Sequence, residues 1–220
     1  MLKRGIDITF AAVTLLVLFP LFLLFAVLIR LDSKGPVLFR QTRMGRHFRT
    51  FQILKLRTMR NGEQGAAITL GSDPRITRFG AWLRRWKLDE FPQLWNVFRG
   101  DMSLVGPRPV IPELAREFVA DYDDLIRVRP GLTDPASVQY CRETEILSLV
   151  PDPLAYFKSV VIPEKLRLSR KYLQTATIAS DFAVIVKTAV VLLTPMRLSA
   201  PSPEFESPRP RVCPPSMSQD

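Results

Sequence analysis

The sequence predicts a mainly helical α/β protein whose N-terminal segment is embedded in a membrane. Phe10–Ile29 contains no charged residue, and its length matches the roughly 20 apolar residues that a membrane helix needs. Downstream, extended runs rich in β-branched and aromatic residues are followed by segments with helical periodicity. The 220 residues are enough for one domain with appendages.

The charges that flank the apolar run predict how it sits in the membrane. Basic residues lie at both ends, namely Lys3, Arg4, Arg30 and Lys34. The positive-inside rule places each flank on the cytoplasmic side, which a single crossing cannot satisfy. Pro20 lies at the middle of the run, where it removes a helix hydrogen bond and favours a kink. We therefore predict a re-entrant membrane helix region over residues 1–34, bent at Pro20.

Two alternatives compete with the re-entrant helix. A secretory signal peptide is disfavoured because the run is too long and is followed by RLDSKGPVLF, which contains no small-residue cleavage site. A true span with the N-terminus outside is favoured by the larger charge on the C-terminal flank.

The excess positive charge is concentrated in one block. Between Arg30 and Arg108 there are 16 Lys and Arg against 6 Asp and Glu, so this block carries the entire formal net charge of +10. Such a block favours an anionic partner: nucleic acid, acidic lipid or a phosphorylated substrate. The two cysteines, Cys141 and Cys213, predict neither a disulfide framework nor a metal site.

The segments after the membrane helix predict a hairpin, a loop and a helix. Pro36–Gln41 and Thr50–Met59 are two extended runs joined by a basic turn around Gly45. Asn61–Gly71 is a glycine-containing loop. Ser72, Asp73 and Pro74 then provide a cap and a first-turn proline for a basic amphipathic helix. Its apolar face fits either an anionic membrane surface or an ordinary small core.

The adjacent acids Asp89 and Glu90 lie among arginines and lysines. Apolar residues recur with helical spacing after them until Gly100, and Pro92 fits the first turn. We therefore predict Asp89 as the N-cap and Glu90 as the first helical residue. Either Asp89 is a structural cap, or the pair belongs to an anion-binding site at the positive end of the helix dipole.

Carboxylates in this setting suit phosphate chemistry. Adjacent residues on a helix point about 100° apart because a turn holds 3.6 residues, so the pair fits a glycosidase poorly. One carboxylate can attack phosphorus while the other assists with a metal ion or a proton. Magnesium suits an oxygen-rich site of this kind. Arg108, rigidly held between two prolines, can point a guanidinium at phosphate oxygens.

Several long motifs carry a resemblance to a known family. These are KRGIDITFAAVTLLVLFPLFLLFAVLIRLDSKGPVLFRQTRMG, FQILKLRTM, DPRITRFGAWLRRWKLDEFPQLWNVFRGDMSLVGPRP and RPGLTDPAS, and they span most of residues 1–195. The chain resembles the bacterial sugar transferases, the monotopic polyprenyl-phosphate phosphoglycosyl transferases. The resemblance implies an enzyme that transfers sugar-1-phosphate from a UDP-sugar to undecaprenyl phosphate and releases UMP.

The resemblance also implies roles for particular residues. Asp89 corresponds to the nucleophile that forms a covalent phosphosugar intermediate and binds Mg2+, and Glu90 is its partner in the dyad. Lys55 and Arg108 correspond to phosphate-recognising residues, and Pro20 corresponds to the kink of the re-entrant helix. The family pattern places the catalytic domain on the cytoplasmic face of the bacterial inner membrane.

The chain departs from the family pattern after RPGLTDPAS. The resemblance implies an active-site arginine in the register of Cys141, which leaves Arg142, one residue later, as the candidate phosphate contact. Asp134 stands where many family members have glycine.

The resulting division has three parts: the membrane region 1–34, a sugar transferase domain at 35–198 and a disordered proline-rich tail at 199–220. Within the domain, Glu113–Leu125 and Pro163–Leu173 have helical patterns, and Ala179–Leu193 predicts an interfacial helix. His47 is predicted to be a surface residue. A homodimer is compatible with the sequence.

Two other classes of function remain open from the residues. A membrane-attached nucleic-acid-binding module would explain the basic block, but it gives the acids no role and the chain has no aromatic–glycine RNA motif. A membrane scaffold would explain the amphipathic helices and the tail. We predict no nucleic-acid partner.

Overall fold

The computed structural model describes residues 2–60, 73–117 and 122–194. The predicted loop at Asn61–Gly71 and the predicted tail lie outside these ranges. Most of the described residues are helical, and two small two-stranded sheets accompany the helices. The predicted mainly helical α/β class is confirmed in this coarse form.

The N-terminal helix α1 covers Leu2–Asp32 and continues through Pro20. One face packs on the rest of the protein through Ala11, Phe25 and Ile29. The other face exposes a continuous apolar surface, formed by Val13, Leu16, Val17, Phe19, Leu23, Leu24 and Val27. Within the described ranges, α1 is the one helix that is long and apolar enough to cross a membrane.

The predicted hairpin is confirmed. β1, Leu38–Met44, pairs antiparallel with β2, Thr50–Leu56, and Phe39 lies opposite Lys55. Gly45 begins the turn, where its N–H donates to the Arg49 carbonyl at 2.9 Å. His47 is exposed in this turn, as predicted.

The predicted start of the next helix is wrong. Helix α2 covers Arg78–Arg85, and its cap is Thr77, whose hydroxyl accepts from the Gly80 N–H at 3.0 Å. The Asp73 carboxylate instead binds the Arg75 side chain at 2.5 Å. The backbone of this segment pairs with the chain after β2, where the Thr77 N–H donates to the Thr58 carbonyl at 3.0 Å. These bonds hold the segment in a non-helical conformation.

The acids precede their helix by a full turn, which corrects the prediction that they begin it. Lys87 adopts a left-handed conformation with φ 54°, and Leu88–Glu90 forms a 3-10 turn. Helix α3, Gln93–Arg99, follows with Pro92 at its cap position and ends at Gly100 with φ 100°. The Asp89 side chain is therefore not the N-cap.

The hairpin and α3 are joined by one side chain. The Asn96 carbonyl oxygen accepts from the Leu54 N–H at 3.1 Å, and its amide donates to the Gln52 carbonyl at 2.8 Å. Asn96 is 1 % exposed, so losing these bonds would leave buried polar groups unpaired. This link fixes β2 against the helix that follows the acidic turn.

A second sheet lies at the centre of the domain. β3, Ser103–Val105, pairs parallel with β4, Gly131–Thr133. Gly131 lies so close to Gly106 that a Cβ on Gly131 would collide with the Gly106 backbone, and a Cβ on Gly106 would collide with the Arg129 carbonyl. The sheet packs with α1 and α3 around one apolar core, which contains Ala11, Leu94, Val97, Met102, Leu104 and Val105.

The remaining helices surround this core. They are α4 Pro112–Glu117, α5 Pro135–Gln139, α6 Glu143–Ser148, α7 Pro153–Tyr156, α8 Ile162–Gln174 and α9 Ile178–Leu193. The predictions for α8 and α9 are confirmed as helices. The helix predicted at Glu113–Leu125 is wrong at its C-terminal end, because residues 123–124 form a turn and Leu125 begins a 3-10 turn. Residues 118–121 lie outside the described ranges.

Both ends of α1 are bound to the domain by polar contacts. At its start, Arg4 donates to the Val97 carbonyl at 2.7 Å, and the buried Asp7 carboxylate accepts from the Ser103 hydroxyl at 2.8 Å. At its end, the Arg57 guanidinium donates to the Ser33 and Lys34 carbonyls at 2.6 and 2.9 Å. These bonds hold both ends of α1 against the same domain.

Candidate active site

Glu90 lies between two cations that come from different parts of the chain. The Lys55 ammonium, on β2, lies 2.8 Å from Glu90 Oε1. The Arg108 guanidinium, in the loop after β3, donates to the same oxygen. The Glu90 side chain is only 12 % exposed. The structure thus brings together three of the predicted site residues.

Asp89 is the more enclosed of the two acids. The residue is 7 % exposed, and its Oδ1 is buried without a hydrogen-bond partner among the described residues. A buried carboxylate oxygen without a partner costs about 1–3 kcal/mol or more. An unpartnered buried oxygen of this kind is available to bind an ion or to react.

The surroundings shift the pKa values of the two acids in opposite directions. Burial, and then the neighbouring Glu90 charge, raise the pKa of Asp89. Burial alone would raise the pKa of Glu90 too, but Arg108 and Lys55 outweigh it, so the Glu90 pKa lies well below its ordinary value. Paired acids with separated pKa values are typical of catalytic sites.

Helix α1 reaches the acidic turn, Leu88–Glu90. The Phe22 ring of α1 meets the Phe91 ring edge-on, with 6.5 Å between the centroids, and Phe91 directly follows Glu90. Pro20 lies one helical half-turn before Phe22. It is not part of the carboxylate cluster, by which we mean Asp89, Glu90, Lys55 and Arg108.

Arg142 is not brought to the cluster. Its guanidinium lies 3.5 Å from the Glu145 carboxylate, on the next turn of the chain. No hydrogen bond or ion pair joins it to either acid within the described residues. Its role as a phosphate contact stays a prediction from the family register.

Asp134 has a clear structural position. It is fully buried, and it caps α5 by accepting from the Ser137 N–H at 2.7 Å. Its other carboxylate oxygen accepts from the Ser169 hydroxyl of α8 at 2.7 Å. Aspartate at this position therefore joins two helices of the domain.

Two further arginines lie near the acids. Arg84 of α2 lies within electrostatic reach of Asp89, and its Nε donates to the Thr58 hydroxyl at 2.8 Å. Arg43 of β1 lies within electrostatic reach of both Glu90 and Arg108. Sequence reasoning did not single out Arg43. The alternation of the hairpin was the available signal, because Arg43 and Lys55 lie on the same face of β1 and β2.

The acidic turn fits a magnesium ion. The described residues contain no cluster of three or more Asp, Glu, His or Cys that could hold a metal alone. Magnesium commonly uses only one or two carboxylates together with substrate phosphates. The unpartnered Oδ1 of Asp89 is a suitable hard ligand for that mode.

A comparison with known families identifies the family of this chain. A family model described as bacterial sugar transferase matches residues 1–195, which includes every residue of the carboxylate cluster. The chain belongs to the bacterial sugar transferase family. The family predicted from the motifs is thus confirmed.

Named relatives of this bacterial sugar transferase have related activities. A UDP-glucose:undecaprenyl-phosphate glucose-1-phosphate transferase of Caulobacter vibrioides is 40 % identical over 198 residues, covering 87 % of this chain and 70 % of the relative. An undecaprenyl-phosphate glucose phosphotransferase of Komagataeibacter xylinus is 45 % identical over 149 residues, covering 64 % of this chain but only 28 % of the relative.

A third relative has a different sugar in its name. It is a UDP-N-acetylgalactosamine-undecaprenyl-phosphate N-acetylgalactosaminephosphotransferase of Aeromonas hydrophila, 44 % identical over 146 residues, covering 62 % of this chain and 34 % of the relative. The family and these names confirm the predicted enzyme class, a sugar-phosphate transferase.

Proposed function

We propose that the protein transfers a sugar-1-phosphate from a UDP-sugar to undecaprenyl phosphate and releases UMP. The observation that carries this proposal is the buried Asp89, with an unpartnered oxygen, beside a Glu90 held by Lys55 and Arg108. The relatives' names supply the donor and acceptor classes. The arrangement supplies a nucleophile with cations around the phosphates it would attack.

The reaction proceeds through a covalent intermediate on Asp89. Its carboxylate oxygen attacks the phosphorus that bears the sugar, an acyl-phosphate bond forms, and the bond to UMP breaks with its electron pair going to UMP. An oxygen of undecaprenyl phosphate then attacks the same phosphorus and releases the Asp89 carboxylate. Lys55 and Arg108 stabilise the negative charge on the phosphoryl oxygens.

Magnesium supports this chemistry when it is bound. Asp89 would hold the ion together with substrate phosphates, and the ion would neutralise phosphate charge. Glu90 keeps Lys55 and Arg108 in place beside the reacting phosphate. The low pKa of Glu90 keeps this residue ionised at neutral pH.

We place the enzyme at the bacterial inner membrane with its catalytic domain on the cytoplasmic face, where it would begin exopolysaccharide, capsule, O-antigen or glycoprotein glycan assembly. The exposed tryptophans Trp82 in α2, Trp86 directly after it and Trp95 in α3 suit the membrane interface. The exposed apolar face of α9, formed by Phe182, Val186, Val190 and Leu193, suits it too.

The contacts of α1 support the re-entrant geometry. Arg4 and Asp7 bind the domain at the start of the helix, and Arg57 of the same domain binds its end. A true span would carry one of these contact sets to the opposite side of the bilayer, together with the domain elements attached to it. Such elements are too polar to lie in the hydrocarbon core.

Labelling from each side of the membrane tests this geometry. We expect single cysteines at Leu2→Cys and Lys34→Cys, in a chain with Cys141→Ser and Cys213→Ser, to react with an impermeant maleimide from the cytoplasmic side only. The two positions are exposed. Labelling of the two positions from opposite sides would show that α1 spans the bilayer.

A release assay tests the transfer itself. Purified full-length protein with undecaprenyl phosphate and Mg2+ is expected to release UMP from at least one UDP-sugar in a panel that includes UDP-glucose and UDP-N-acetylgalactosamine. The lipid product should carry the donor's sugar-1-phosphate by mass spectrometry. Release of UDP instead of UMP, or release without lipid product, would contradict the proposal.

A further inference from the structure

Among the residues that the structure describes, Arg43 is a cation without an acidic partner. Its Nη2 donates to the Gln41 side chain at 2.7 Å, and its Nε is enclosed without any hydrogen-bond partner. Across residues 2–60, 73–117 and 122–194, no carboxylate lies within ion-pairing distance of it. Enclosed cations are ordinarily paired because the lost hydration is costly. The missing partner suggests an anion that the isolated chain does not contain.

Arg43 lies within electrostatic reach of the carboxylate cluster. Burial, and then the nearby Arg108, lower the pKa of Arg43 to about 10, while Glu90 and Glu113 act in the opposite direction. The guanidinium is thus still charged at neutral pH. Its repulsion by Arg108 would be relieved by a shared anion between the two arginines.

The hairpin register shows at which end of the hairpin Arg43 lies relative to α1. Lys55 lies opposite Phe39, four residues before Arg43 on β1, so the two cations are separated by about 13 Å along the strand at 3.3 Å per residue. Because α1 ends at Asp32, shortly before β1, the Lys55 end is near the membrane helix. Arg43 lies at the opposite end.

We propose that Arg43 binds the phosphate that stays with the nucleotide when the sugar-phosphate is transferred. This inference rests on the proposed function, in which a lipid phosphate approaches from the membrane end and a soluble nucleotide occupies the other end. Lys55 and Arg108 then bind the transferred phosphate, and Arg108 and Arg43 flank the phosphate that stays with the nucleotide. Arginine suits this task because its planar fork matches phosphate oxygens.

Titration of UMP into the full-length protein tests the assignment. We expect Arg43→Gln to weaken UMP binding by about 10- to 100-fold, the range for losing hydrogen bonds to a charged group. Uridine, which lacks the phosphate, should bind both proteins equally. Arg40→Gln is the matched control, since Arg40 lies on the same strand with its side chain on the opposite face and exposed.

The outcomes separate this inference from the proposed function. If wild type releases UMP from a UDP-sugar but Arg43→Gln binds UMP as tightly as wild type, the Arg43 assignment is overturned alone. If wild type neither binds UMP nor releases it, both the Arg43 assignment and the proposed function are overturned. Where Arg43→Gln lowers the melting temperature, Arg43→Lys replaces it. The lysine keeps the charge without the fork, and an affinity equal to that of wild type for this folded variant would also overturn the assignment.

Discussion

Asp89→Asn is expected to reduce UMP release by at least about 1,000-fold, as loss of a covalent nucleophile does in other enzymes. The amide is nearly the same size, so the buried site keeps its shape while the attacking oxygen is lost. Wild type quenched during turnover with its UDP-sugar should carry a mass increment equal to one sugar-phosphate on the peptide containing Asp89. The variant should carry none.

The control for Asp89→Asn is Asp123→Asn, which removes a carboxylate that is 53 % exposed and paired with Arg127. It should retain wild-type activity, because exposed ion pairs contribute little to stability. Equal melting temperatures of all three proteins would exclude a folding defect. Full UMP release by Asp89→Asn would refute the nucleophile assignment. An adduct on another residue would identify that residue as the nucleophile instead.

Glu90→Gln is expected to lower UMP release by about 100-fold, because Lys55 and Arg108 lose the negative charge that positions both of them. The matched control is Glu117→Gln, which breaks an exposed pair with Lys158. Equal rates in Glu90→Gln and wild type at every pH would contradict the positioning role.

The pH dependence of UMP release by Glu90→Gln provides a second test, because the direction in which the rate profile shifts can be predicted. Attack requires ionised Asp89, so activity is lost as the pH falls through the Asp89 pKa, which burial and then Glu90 raise. Removing the Glu90 charge lowers the Asp89 pKa, and it also leaves two cations unpaired beside it. The acidic limb of the rate profile should therefore move to lower pH in the variant. A shift to higher pH would show that this limb does not report Asp89.

Local patterns were sufficient for several elements of the fold. The charge-free run predicted α1, alternating extended residues predicted the β1–β2 hairpin, and glycine marked the end of α3 at Gly100. Each of these features depends on neighbours along the chain. The start of α2 was mispredicted because Thr58, outside the local segment, pairs with Thr77 and keeps the chain extended up to that residue.

The acidic turn also combines features that the sequence predicts with features that only the folded chain shows. The sequence placed Asp89 and Glu90 among cations, but it assigned them to a helix start that lies further along, at Gln93. The left-handed backbone at Lys87 sets the turn, and no residue type there signals it. Cap residues are recognised by their hydrogen bonds, which only the folded chain has.

The sequence by itself determined the family, the membrane-length helix and the identity of the acidic pair, because long motifs and apolar length are properties of the chain order. The tertiary structure decided which cations reach that pair. Lys55 and Arg108 converge on one oxygen of Glu90, whereas Arg142 pairs with Glu145. Arg43 gained its position through the hairpin register. Such convergence depends on packing between distant segments, which spacing along a chain does not encode.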